Sequence, residues 1–181
     1  RGRQGRSWLD APGNFMGSTV VHVSPQDSAP ASLSFVAALA VYETVLARLG
    51  NPRELQLKWP NDVLLGGGKF CGLLLERAGA SVVVGIGVNL ASAPASEAQA
   101  TALTVHGPAP DREAFAAELA TQFALELGRW RQFGLEPILG RWLAAAHPLH
   151  SALTVHEPGG ERLSGTFDGL ESDGALRLRL A

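Results

Sequence analysis

Lysine is scarce in this 181-residue chain: two, Lys58 and Lys69, stand against thirteen arginines. Positive charge is otherwise carried by planar guanidinium forks, so a compact ammonium at two neighbouring positions marks a place where a point charge is wanted. Cysteine is scarcer still. One residue, Cys71, excludes an internal disulfide framework and fits a reducing compartment. Excess charge of either sign is missing too. A net charge of -2 and a pI near 6.2 exclude a global electrostatic footprint for nucleic acid, so any anion binding is local. No apolar run reaches membrane-spanning length; the longest, within residues 32–49, is broken by Glu43, Thr44 and Arg48. No secretory leader is visible, and the expected setting is cytoplasmic with no membrane partner. The chain starts in mid-motif without Met, so it is expected to lack its true N-terminus.

What is present is a folded core. The 46% hydrophobic and 18% charged content suits one ordinary domain with a small appendage. Residues 17–23, rich in β-branched side chains, read as a strand. Residues 30–49 read as a long helix, apolar nearly all round and hence buried. Residues 55–59 alternate as a strand. Residues 63–65, a glycine turn at 66–68 and residues 69–76 read as a hairpin, and 81–90 as a further strand. Residues 91–110 are small, polar and proline-bearing, a loop. Asp111 can cap a helix whose Phe115, Leu119, Phe123, Leu127 and Trp130 recur at helical spacing. A second helix runs from Glu136 to about His147. From Ser151 short alternating runs indicate a small β unit. The expected division is residues 1–148 and 149–181.

Four segments carry chemistry. "RGRQGRSW" opens the chain with Arg1, Arg3 and Arg6 around Gly2 and Gly5, followed by Trp8; such a stretch can wrap an anion or bind nucleic acid. "KWPND" ends a strand at Pro60 and presents Asn61 and Asp62 at one point. Asp62 can take a magnesium ion or a ribose hydroxyl, and Asn61 a phosphate or the ion; an Asx-turn is the plainer alternative. "GGGKF" is no phosphate-binding P-loop, because Phe70 follows Lys69 and a strand follows Phe70. "GIGVNL" lacks the third glycine of a dinucleotide fingerprint, but Gly85 and Gly87 permit close approach of a flat ligand, and Asn89 can pair with a purine edge. A bulged core strand with a structural Asn89 is the alternative. The five histidines form no metal set, and Cys71 reads as a small core residue.

In this order, "RGRQGRSW", "KWPND", "GKFCGLLLE" and "VVVGIGVNL" resemble the biotin protein ligases, closely over residues 1–90 and more loosely beyond. The resemblance implies an α+β fold. Its catalytic domain would be a mixed β-sheet flanked by helices, related to class II aminoacyl-tRNA synthetases, followed by a small, incomplete SH3-like β-barrel. It implies activation of biotin with Mg-ATP as biotinyl-5′-AMP and transfer to one lysine of a biotin carboxyl carrier domain. By position, Arg1, Gly2, Arg3, Gly5 and Arg6 match the loop over the ligand, with Arg3 at the biotin–phosphate junction, and Trp8 matches a wall of the site. Lys69 matches the lysine touching the biotin carboxylate and α-phosphate, Gly72 the glycine lining the pocket, and Asn89 the adenine-recognising asparagine. Asn61 and Asp62 match the pair near phosphates and metal, with Lys58 beside them.

Two departures stand out. The residues that hold the biotin ureido ring precede the loop in the family, and the chain has no such segment. The region just after Asn89 lacks the tryptophan with which some bacterial members of the family cover the adenylate; residues 100–103 occupy that place. Three rivals remain: a lipoate or octanoate ligase or transferase of related fold, an Arg-Gly-led nucleic-acid module, and a biotin-responsive repressor carrying a further N-terminal domain. The resemblance also admits a homodimer. The acceptor is expected to dock around residues 63–75, pairing with an edge strand there.

Overall fold

The computed structural model describes residues 11–49, 52–95, 97, 99–156 and 162–180. Strand β1 (Phe15–His22) is followed by a short 3-10 turn (Pro30–Ser32) and helix α1 (Leu33–Leu46). Four strands come next: β2 (Leu55–Lys58), β3 (Asp62–Leu65), β4 (Gly68–Ala78) and β5 (Ser81–Val88). Helices α2 (Arg112–Phe133) and α3 (Glu136–Ala145) lead to β6 (Ala152–His156), β7 (Arg162–Leu170) and β8 (Leu176–Leu180).

The first five strands form one sheet in the order β1-β5-β4-β3-β2, and the last three form a second in the order β6-β7-β8. The expected mixed sheet is antiparallel in every described ladder; parallel pairing is limited to two single bridges, Leu57 with Ala146 and Lys69 with Ala100. From β2 to β5 short turns are the reason, because consecutive strands joined by a few residues can only run antiparallel; β1 reaches β5 by a long excursion instead. The expected docking edge within residues 63–75 is corrected by the same order. β3 and β4 lie inside the sheet, whose edges are β1 and β2. Only the far end of β4, beyond β3's reach at Gly72, lacks a strand on that side.

Helix α1 is apolar all round because it is covered all round. It packs on the sheet with one side and on α2 and α3 with the other, and Leu33, Val36, Ala37, Ala40, Val41 and Val45 have no exposed surface. The sheet supplies the facing layer from alternate residues: Leu55 and Leu57, Val63 and Leu65, Cys71 and Leu73, then Val82, Val84, Ile86 and Val88.

Asp111 caps α2 as expected, its carboxylate accepting the amide N–H groups of Glu113 and Ala114 at 3.0 and 2.9 Å. The apolar stripe of α2 holds one polar intruder. Glu126 is fully buried, and Arg129 and Arg141 both reach its carboxylate, while Arg141 also binds Glu43 at 2.6 Å. That network joins all three helices. Trp130, also buried, donates its indole N–H to Ser32 Oγ at 2.9 Å.

Helix α3 stops at Ala145, because Ala146 is extended and bridges Leu57, and the His147 N–H bonds the Leu57 carbonyl at 3.2 Å. The second sheet is moored at the same corner. Trp59 donates its indole N–H to the Gly174 carbonyl at 3.1 Å, and His147 packs on Phe167 with ring centroids 4.5 Å apart. Gly174 sits so close to α1 that a Cβ there would lie 2.5 Å from the Phe35 ring.

Candidate functional site

A sheet has two faces, and α1 covers one. The period of two assigns the other face to Met16 and Ser18 of β1, Gly85 and Gly87 of β5, Gly72 and Leu74 of β4, Asp62 and Leu64 of β3, and Gln56 and Lys58 of β2. One row crosses all five strands: Lys58 opposite Asp62, Asp62 opposite Gly72, Gly72 opposite Gly87, Gly87 opposite Met16. Four sequence-predicted residues are thus neighbours. The middle of the row has no side chains, so it is a shallow floor with an ammonium and a carboxylate at one end. At Gly85 the protein itself leaves room, since a Cβ there would make only ordinary contacts, 3.5 Å from the Leu74 carbonyl and 3.7 Å from Ser18 Oγ. Core packing therefore does not account for that glycine.

Lys69 reaches this face because of a β-bulge. Val63 pairs with Cys71, but Leu64 pairs with Lys69, so Phe70 is an extra residue in β4. Plain alternation would have sent Lys69 to the core side with Cys71 and Leu73. The bulge instead buries Phe70 and turns Lys69 toward Asp62, with Nζ 3.3 Å from Oδ1 and 4.0 Å from the Glu97 carboxylate. The turn between β3 and β4 has Gly66 and Gly67 at its centre, both at positive φ (57° and 81°), as a tight two-residue hairpin requires.

Asn61 and Asn89 have structural duties of their own. Asn61 binds both backbone groups of Leu73, accepting its N–H at 2.9 Å and donating from Nδ2 to its carbonyl at 2.5 Å. It thereby continues the ladder past Pro60, which has no N–H to give. Asn89 is buried; its N–H bonds the Phe70 carbonyl at 3.0 Å and its Nδ2 donates to the Thr101 carbonyl at 3.1 Å. It stands where β5 ends, beyond Gly85 and Gly87.

Cys71 faces the core, and burial pushes its thiol far above the usual range, with Asp62 adding to the effect. It is inert, as its sequence context suggested. Among the described residues no group of three or more His, Cys, Asp or Glu side chains could hold a metal. Magnesium is nonetheless compatible with Asp62, because that ion keeps waters and substrate phosphates and takes one or two carboxylates from a protein. Asn61 could join it only through Oδ1, the ligating atom of an amide, while its Nδ2 donates to the Leu73 carbonyl. Arg1, Gly2, Arg3, Gly5, Arg6 and Trp8 lie outside the described residues.

Sequence reasoning missed two residues. Asn14, which ends the turn-forming run Ala11-Pro12-Gly13-Asn14, is buried and binds Ala91 and Ser92 through three hydrogen bonds, fixing the start of β1 to the end of β5. Its place among turn-formers concealed it. His106 closes the loop after Asn89, with Nδ1 3.0 Å from Glu54 Oε2, and no sequence pattern announces that pair. On the helical side a groove of about 220 Å³ is lined by Leu39, Tyr42, Glu43, Arg141, Ala144 and Ala145; its charges already satisfy one another.

Residues 1–91 match the family described as Biotin/lipoate A/B protein ligase family. Over 99% of its length the chain is 43% identical to a biotin--[acetyl-CoA-carboxylase] ligase of Paracoccus denitrificans, covering 79% of that protein. It is 35% identical over 98% of its length to the enzyme of the same name from Mycobacterium tuberculosis, covering 68% of it. In fold it is similar to a biotin protein ligase of Aquifex aeolicus solved in complex with biotin and ATP, with a TM-score of 0.85 at 23% identity, covering all of this chain and 81% of that one.

Proposed function

Because the chain belongs to the biotin/lipoate A/B protein ligase family, we propose that it is a biotin--[acetyl-CoA-carboxylase] ligase working on its glycine-floored face. The biotin carboxylate attacks the α-phosphorus of ATP, an oxygen–phosphorus bond forms as pyrophosphate leaves, and the product is biotinyl-5′-AMP. The amine of a carrier-domain lysine then attacks the acyl carbon, and AMP leaves. One observation carries the reading: the bulge at Phe70 brings Lys69 onto the face that carries Lys58, Asp62, Gly72 and Gly87, with its ammonium 3.3 Å from Asp62.

Lys69 is assigned to the junction of carboxylate and α-phosphate. Two anions must meet there, and a held cation lowers their repulsion and the charge that builds on phosphorus. Asp62 keeps the ammonium in place, 3.3 Å away. Gly72, Gly85 and Gly87 let a flat ligand lie against backbone, and Lys58 lends charge at the row's end. Asn89 is assigned to the adenine edge. Arg1, Gly2, Arg3, Gly5 and Arg6 are assigned to a loop closing over the anhydride and excluding water, with Arg3 at the phosphate and Trp8 as a wall. Asp62 would be the protein's ligand to magnesium brought in with ATP, and the ion would supply further charge neutralisation. No protein nucleophile is required, in keeping with a buried, inert Cys71.

The same proposal extends to the finer architecture. Residues 1–148 are taken as a catalytic domain of class II synthetase-like fold, and residues 149–181 as an SH3-like domain represented by β6 to β8. The proposed setting is cytoplasmic, and no helix among the described residues is long and apolar enough to cross a membrane. Incubation with ATP, magnesium, biotin and a purified carboxyl carrier domain tests the activity by intact mass. Biotinylation of one carrier lysine is expected, with little of free lysine; lipoylation or octanoylation in its place would overturn the substrate assignment.

A further inference from the structure

The triple glycine 66–68 meets the loop after Asn89. β5 ends at Val88, so the first three residues of β4, Gly68, Lys69 and Phe70, have no strand on that side. Asn89 covers Phe70. The loop covers Lys69: its N–H bonds the Gln99 carbonyl at 2.6 Å and its carbonyl accepts the Thr101 N–H at 2.9 Å. The Thr101 carbonyl in turn receives the Asn89 side chain, and the Leu103 N–H bonds the Asn89 carbonyl at 2.9 Å. Residues 99–103 thus tie Lys69 to Asn89.

The loop is held down by its last residue. His106 lies across the hairpin turn, with Nδ1 3.0 Å from Glu54 Oε2 and Nε2 3.4 Å from Thr101 Oγ1. The Glu54 carbonyl also accepts the Gly66 N–H at 2.9 Å, so one residue grips both turn and loop. The approach is too close for side chains on the turn. A Cβ on Gly66 would lie 2.5 Å from His106 Cε1, and one on Gly68 would lie 2.9 Å from Thr101 Cβ and 3.3 Å from the Gln99 carbonyl oxygen. Gly67 has nothing within 4 Å and is needed only for its positive φ. A phosphate cradle would leave those spaces open to a ligand. Here they are filled by the loop.

We propose that His106 is a positioning residue for adenylate formation, seating residues 99–103 on Gly66 and Gly68 and thereby fixing Lys69 relative to Asn89. The role in adenylation rests on the ligase reading; the seat itself does not. His106 touches no reacting atom and acts through the loop backbone.

The test has a ligand-free arm and a kinetic arm, applied to His106→Ala, His106→Gln and Gly68→Ala. Gly68 is preferred over Gly66 because its φ lies outside the region that strains a side chain. In the free protein, amide hydrogen exchange at Lys69 and Thr101 should quicken about tenfold or more in His106→Ala and Gly68→Ala, with the amides of β5 unchanged. In pyrophosphate release, KM for ATP should rise about fivefold or more with a smaller change in kcat, and His106→Gln, which can still donate to Glu54, should recover most of the loss. Unaltered exchange at Lys69 and Thr101 would overturn the proposal. So would faster exchange with wild-type KM and kcat, which would make the seat structural only. A wild-type protein that releases no pyrophosphate with biotin, lipoate or octanoate would sink the ligase reading and the positioning role, while the exchange arm would still decide the seat.

Discussion

Lys69 owes its position to one extra residue, Phe70, and its orientation to Asp62 and Glu97. Lys69→Ala should lower biotin-dependent adenylate formation by roughly 100-fold or more, the usual effect of removing one preorganised cationic or hydrogen-bond donor. The partly exposed ammonium contributes little to folding, so the melting temperature should stay near wild type. Lys69→Arg should be impaired to a similar degree, because a broad planar fork does not fit where a point charge sits beside Asp62. Near-normal initial rates of adenylate formation in either variant would remove Lys69 from the reaction. At this scale the sequence spoke clearly about residue type. Two lysines among thirteen arginines, and "KWPND", marked the right neighbourhood. What it could not express was the face. Alternation alone puts Lys69 with the core residues Cys71 and Leu73, and a bulge has no reliable residue signature when neither partner is glycine.

Among the elements, the hairpin and the helices were legible because their signals are local: paired positive-φ glycines, an Asp cap, a stripe at spacings of three and four. Strand direction and order were not. They depend on which segments meet after long excursions, and β1 joins β5 across the 58 residues between His22 and Ser81. Glu126 was hidden for a related reason. In sequence it is one more acidic residue on an amphipathic helix; in the fold it is fully buried between Arg129 and Arg141. Arg141→Ala should therefore destabilise the protein by about 3 kcal/mol, the lower end of the range for a buried carboxylate that loses a partner, since Arg129 remains. Urea denaturation checks it. A loss no larger than that of an ordinary surface ion pair would mean that water replaces the guanidinium at no cost.

The whole molecule hinges on the corner where Leu57, Trp59, His147, Phe167 and Gly174 meet. His147 is buried there, with Nδ1 2.7 Å from Ser151 Oγ, Nε2 without a partner among the described residues, and Lys58 nearby. Burial, reinforced by the Lys58 charge, lowers its pKa below the ordinary 6.5. The unfolded chain therefore takes up a proton in a range where the folded chain does not. Stability from this group is complete above about pH 6.5 and is lost as pH falls toward the lowered value. Chemical denaturation between about pH 7 and 5.5 should show that slope in the wild type and a flatter one in His147→Gln. Equal slopes would relieve His147 of the role. The sequence located a boundary near this corner from a change in strand character, but not the contacts across it, of which Trp59 to Gly174 joins residues 115 positions apart.

The central claim is that the glycine-floored face carries out acyl adenylation through Lys69. ATP–pyrophosphate exchange, measured with and without biotin, isolates that half-reaction and needs no acceptor protein. Exchange should require biotin in the wild type and be nearly abolished in Lys69→Ala under conditions where both proteins remain folded. Exchange that proceeds equally without biotin, or that survives the loss of Lys69, would contradict it.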